Sequence, residues 1–179
     1  PPPMSYSESP HGVGGGVSIS HGPDGTHPGP QNIWSFHDLE KGLAYAKKVN
    51  KPAFVDFTGH ACVNCRKMEE NVWGQPQIID ILREKVVVVS LHVDDKRALP
   101  EEEQREVTLA NGKKKFLRSI GNKWSYMQAE QYKTNTQPYY VMLKPDGSQL
   151  DNGSADYEHH GNATDFRAWL DEGMDDFNK

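Results

Sequence analysis

Two cysteines occur in this chain, and they stand three positions apart as Cys62-Val63-Asn64-Cys65. When such a pair opens a helix, both sulfurs lie on one face and can close a small ring, cycling between dithiol and disulfide. A helix N-terminus presents unpaired N–H groups and the positive end of the helix dipole, and both favour thiolate over thiol. Cys62 holds that first position and is the expected nucleophile toward a disulfide in another protein. Cys65, one turn further in and less exposed, is expected to resolve the mixed disulfide. A stabilising disulfide scaffold would use more cysteines at wider spacing.

Asp56 lies inside an apolar run, six residues before Cys62. A carboxylate there costs several kcal/mol unless it is neutralised or put to use. Beneath the disulfide it would exchange a proton as Cys65 attacks, with its pKa raised by burial. The plainer alternative is a strand-end Asp that caps a turn. Glu69 is four residues beyond Cys65, so its charge would oppose thiolate formation; the alternative is an exposed helix glutamate beside Glu70. Gln137-Pro138 precedes a strand, where a proline needs a special turn or an edge position. A cis bond would face the cysteines with backbone free to pair a substrate; a trans bond would open an edge strand. Val63, Asn64, Gln137 and Pro138 are the expected substrate contacts. His60, Arg66 and Lys67 read as solvent-exposed.

The elements that must hold these residues follow from periodicity. Ser35 is a good N-cap, and Phe36, Leu39, Leu43, Ala46 and Val49 form an apolar stripe at helical spacing. Asn50-Lys51-Pro52 ends that helix. Residues 53–57 form a short buried strand, Thr58-Gly59-His60-Ala61 a turn, and a helix runs from Cys62 to about Trp73. Residues 86–93 form an almost uninterrupted apolar run, expected of a parallel strand covered on both faces. Residues 95–118 are a charged insertion with a hairpin signal at Asn111-Gly112. A helix carrying Trp124, Tyr126, Met127 and Tyr132 follows. Then come a strand at 139–143, a turn at Pro145-Asp146-Gly147, a return strand from Ser148, and a last helix after Asn162 or Thr164. The first half therefore reads α-β-α-β, with the cysteines between strand and helix. Residues 1–32 are rich in Gly, Pro and His and read as a flexible linker; residues 33–179 read as the folded domain.

Formal net charge is −5, so a basic nucleic-acid footprint is absent. Lys113-Lys114-Lys115 reads as a solvated hairpin edge. No stretch approaches the ~20 apolar residues of a membrane-spanning helix. The start at Pro1-Pro2-Pro3 reads as a piece of a longer chain. A structural zinc site wants four ligands, and one Cys pair with His60 or His92 falls short; Cu(I) on the two thiolates is the softer form of that alternative. His11, His21 and His27 read as polar tether. No metal and no cofactor beyond the redox-active Cys62–Cys65 pair is expected.

Together, Val55-Asp56-Phe57, the gap to Cys62, the CxxC and the later Gln137-Pro138 resemble thioredoxins: an α/β fold with a central mixed sheet flanked by helices. The stretch from Phe57-Thr58-Gly59 through Trp73, with Lys123-Trp124-Ser125-Tyr126 and Gln137 to Val141, resembles the C-terminal periplasmic domain of DsbD-type thiol:disulfide interchange proteins, in a variant associated with Bacteroidetes-like bacteria. That resemblance implies a relay. A membrane electron-transfer domain of the same parent protein would reduce the disulfide. This domain, monomeric and tethered through residues 1–32 to the inner membrane, would then reduce periplasmic thiol-disulfide partners, which serve disulfide isomerases or cytochrome c maturation. Cys62 maps to the family's nucleophile, Cys65 to its partner, and Asp56 and Glu69 to its acidic residues near the disulfide. Ala61 replaces the family's frequent Trp, and Val63-Asn64 its Gly-Pro. The alternative within this chemistry is a stand-alone reductase of secreted proteins or apocytochrome c.

Overall fold

The structure is a computed structural model that describes residues 22–179. His11 and His21 lie outside the described residues, as does most of the expected linker. The chain does not wait for residue 33 to adopt regular structure. β1 (His27–Pro28) pairs antiparallel with β2 (Trp34–Phe36) across a 3-10 turn at Pro30–Asn32.

Ser35 does not cap the first helix. It lies in β2, fully buried, opposite Val88. Trp34, Ser35 and Phe36 pair better as a strand because the apolar strand β4 (Val87–His92) leaves that edge open to parallel pairing. The cap passes to Asp38, whose carboxylate accepts the N–H of Lys41, and α1 runs Leu39–Val49. It stops at Asn50 in the left-handed conformation, just before Lys51-Pro52.

β3 (Ala53–Thr58) is buried along its whole length, with β4 parallel on one side and β7 (Tyr139–Leu143) antiparallel on the other. Between β3 and β4 lie α2 (Val63–Met68), which continues as a π turn at Glu69–Trp73, and α3 (Pro76–Asp80), which continues likewise at Ile81–Lys85. The charged insertion is a hairpin, β5 (Arg105–Thr108) and β6 (Lys114–Leu117), turning at Asn111-Gly112 as expected. α4 (Ile120–Tyr132) starts at a reciprocal cap between Ser119 and Asn122. β8 (Gln149–Asp156), a short α5 (Tyr157–His160) and α6 (Ala163–Phe177) complete the chain, with Asn162 capping α6.

The main sheet runs β1-β2-β4-β3-β7-β8. Period-two alternation splits its side chains between two cores. Phe54, Val88, Tyr140 and Met142 pack under α2, α3 and α6 with Met68, Trp73, Ile78, Phe166 and Trp169. Val55, Phe57, Val89, Leu91 and Val141 pack under α1 and α4 with Ala46 and Trp124. Among the described residues no helix is long and apolar enough to cross a membrane.

Candidate active site

The buried β3 delivers the chain to one end of the sheet, and α2 leaves it with Met68, Val72 and Trp73 anchored in the core. The turn between them is therefore pinned at both ends. Cys62 caps α2: its backbone is extended, and its Sγ accepts the N–H of Cys65 at 3.2 Å. That contact is one of the orphan helix N–H groups that favour a sulfur anion. Cys62 and Cys65 are joined in a disulfide, with Cα atoms 5.2 Å apart. Cys62 is half-buried, whereas Cys65 is 1% exposed. An incoming disulfide can reach only the first sulfur. Val63, 66% exposed, and Asn64 stand at the rim beside it.

Asp56 is 2% exposed, between Ser90 and Tyr140 in the sheet register. It shares a strand face with Phe54, whose core includes Met68 of α2, so it points toward the cysteine-bearing helix. Its Oδ2 accepts from Ser90 Oγ at 3.3 Å, and its Oδ1 has no hydrogen-bond partner. Burial, then the Glu69 charge, pushes its pKa well above the ordinary value; Ser90 and Arg66 act in the opposite direction. It is no strand-end turn cap, since it makes no bond to a turn. Burial makes such a carboxyl hold its proton more tightly than a solvated one, which suits it to proton transfer.

Glu69 is 6% exposed, not an ordinary surface glutamate. Burial raises its pKa to about 7 although the Arg66 guanidinium pulls the other way. Arg66, read from sequence as a solvated charge, is a structural hub. One nitrogen, Nη2, donates to Glu69 Oε2 at 3.0 Å, Gly59 O at 3.1 Å and Thr58 Oγ1 at 3.3 Å.

The Gln137–Pro138 peptide is cis. Tyr139 pairs with Phe57, so the buried Pro138 comes alongside the end of β3, where the turn to Cys62 begins. The Gln137 side-chain amide donates to Gln128 Oε1 at 2.8 Å and to Asn135 O at 3.1 Å. The turn also carries a feature invisible in the sequence. His60 stacks on His92 at 4.1 Å, His92 lies 5.3 Å from His37, and His37 lies 5.5 Å from His27. Burial, then His60 and His37, lowers the His92 pKa to about 4. Among the described residues no group of three His, Cys, Asp or Glu is arranged to hold a metal.

Residues 39–171 match the family model for a thioredoxin-like domain. A thioredoxin from Thermus thermophilus superposes with a TM-score of 0.51 at 21% identity, over 76% of this chain and 83% of that one. A structure described as DsbH oxidoreductase superposes with a TM-score of 0.52 at 19% identity, over 86% of this chain and 96% of that one. At those identities the likeness speaks for the fold. A search of curated proteins returns no match.

Proposed function

Because the chain belongs to the thioredoxin-like domain family, we propose that it is a thiol-disulfide oxidoreductase working as a protein-disulfide reductase. The observation that carries this reading is the asymmetric pair: a reachable Cys62 and a buried Cys65 joined in one ring, in a fold that also buries Asp56 with an unpaired oxygen. In the reduced form, the Cys62 thiolate attacks one sulfur of a target disulfide. A mixed disulfide forms, and the target's other sulfur leaves as thiolate. Cys65 then gives up its proton, with Asp56 as the nearby carboxyl able to carry it. The Cys65 thiolate attacks Cys62 Sγ and expels the second target sulfur. Two electrons pass to the target, and the Cys62–Cys65 disulfide is restored.

The resemblance to DsbD-type C-terminal domains supports a finer reading. The pair is recharged by a membrane electron-transfer domain of the same parent protein, and it serves periplasmic disulfide partners while tethered to the inner membrane. Val63 and Asn64 meet the partner, together with backbone near Pro138. No cofactor beyond the cysteine pair is needed.

The test is the reduction potential of the Cys62–Cys65 couple in graded dithiol buffers, with Cys62→Ser as control. A two-electron transition near or below about −200 mV supports an electron donor, and a value near about −120 mV marks an oxidant and ends the relay reading. The Cys65→Ser protein should in addition trap a mixed disulfide with its partner.

A further inference from the structure

The turn that presents Cys62 is gripped by a carboxylate from a neighbouring strand end. Asp94 stands two residues beyond β4. Its Oδ1 accepts the N–H of His60 at 2.9 Å, and its Oδ2 accepts the N–H of Ala61 at 3.1 Å. The turn itself closes through the Cys62 N–H on Gly59 O at 3.3 Å. Arg66 holds that same carbonyl. The segment is thus held by opposite charges at complementary groups: a cation on its carbonyl, an anion on its N–H groups. Gly59 belongs to the arrangement, because a Cβ there would press on the Asp94 carboxylate at 3.3 Å.

Asp94 is in turn fixed from behind. The Val93 N–H donates to Thr58 O at 2.9 Å, which extends the β3–β4 ladder by one residue. The Gly121 N–H at the start of α4 donates to Asp95 O at 2.9 Å. Any Cβ at Gly121 would lie 2.5 Å from Val93 O and 2.7 Å from Asp95 N, so α4 abuts this loop directly. Burial works against the charge on Asp94, but the His60 and Ala61 N–H groups outweigh it and hold the carboxyl below its usual range. It is an anion at neutral pH.

We infer that Asp94 is a positioning residue for Cys62: it fixes the backbone leading into the nucleophile and sets a negative charge one residue from it. Two effects follow. The turn is rigid, so the thiol is presented in one geometry. The charge opposes thiolate formation, which weakens the reduced state and makes the pair a stronger reductant, the reverse of a pair whose reduced form is stabilised. A carboxylate that only shaped the turn would affect stability and leave the thiol unchanged. The usefulness of the second effect rests on the reductase reading; the effect itself does not.

Two variants of the whole chain separate the effects. Asp94→Asn removes the charge and keeps one acceptor, and Asp94→Ala removes both. The readouts are the thiolate absorbance of the reduced protein against pH, and the redox equilibrium with glutathione at mildly alkaline pH. In both variants the thiolate fraction below the Cys62 pKa should rise about 3- to 10-fold, the size expected for one partly screened charge. The glutathione equilibrium should move toward the dithiol by a similar factor. In Asp94→Ala alone, the His60 and Ala61 amides should exchange with solvent about tenfold faster. An Asp94→Asn protein with unchanged thiol titration and unchanged equilibrium overturns the inference, whatever its stability. Shifted values in a chain whose wild type reduces no protein disulfide uphold Asp94 and end the reductase reading instead.

Discussion

Replacing Glu69 with Gln tests whether the acidic site is maintained at a cost in stability. The Glu69 carboxyl titrates at about 7 in the folded chain against 4.5 for the free group. Between those values the folded state binds more protons than the unfolded one, so stability falls as pH rises through the window. At ~1.4 kcal/mol per pH unit the full gap is worth about 3.5 kcal/mol. Partial solvation at the site makes about 2 kcal/mol the practical expectation. Gln mimics the protonated acid in shape, so near pH 5 the Glu69→Gln protein and the parent should be about equally stable. Near pH 8 the variant should be more stable by about 2 kcal/mol. Asp56 adds a slope of the same sign to both proteins, slightly smaller in the variant because the Glu69 charge helps raise it. The assay is urea unfolding of the oxidised protein at several pH values from about 5 to 8, with the linear slope compared at each. Parallel stability–pH curves for the two proteins would refute the assignment of a raised Glu69 pKa.

Asp56→Asn removes a buried carboxyl whose Oδ1 is unpartnered. It should gain stability at alkaline pH while slowing resolution of the mixed disulfide by about 100-fold, the lower end for a lost proton carrier; stopped-flow fluorescence with a model disulfide checks both the rate and the direction. Arg66→Met removes three donated bonds, which should cost about 1–2 kcal/mol and push the Glu69 titration above about 7, followed by carboxyl-carbon NMR. Gly121→Ala forces a Cβ onto Val93 O at 2.5 Å and should destabilise by about 2 kcal/mol, seen as an earlier thermal midpoint.

The cost implied at Glu69 and Asp56 has a functional logic. Asp56 and Glu69 are both buried, and desolvation is the largest cause raising both of their pKa values. A buried acid can accept a proton once it ionises, and a solvated one would be an anion at all working pH values. The site therefore gives up stability above neutrality to hold proton-exchanging groups out of water.

The sequence by itself determined what depends on local chemistry and period. Two cysteines three apart between an apolar run and an amphipathic stretch define a strand–turn–helix redox pair. The run at 86–93 requires a strand covered on both faces, and Asp56 is conspicuous as a charge among apolar neighbours. Asn111-Gly112 marks its hairpin because few residue pairs tolerate that turn. What remained open depends on groups distant in the chain. Ser35 looked like a helix cap because capping is judged from a few residues, whereas its place in β2 was decided by the free edge of β4, more than fifty positions away. Arg66 looked solvated because its partners at Thr58 and Gly59 lie across the turn, and Asp94 gave no local signal because its donors at His60 and Ala61 are 34 and 33 residues distant. The histidine row joins four separate segments. Such contacts are made when strands align side by side, and that alignment is an outcome of the whole core, so tertiary structure alone decides them.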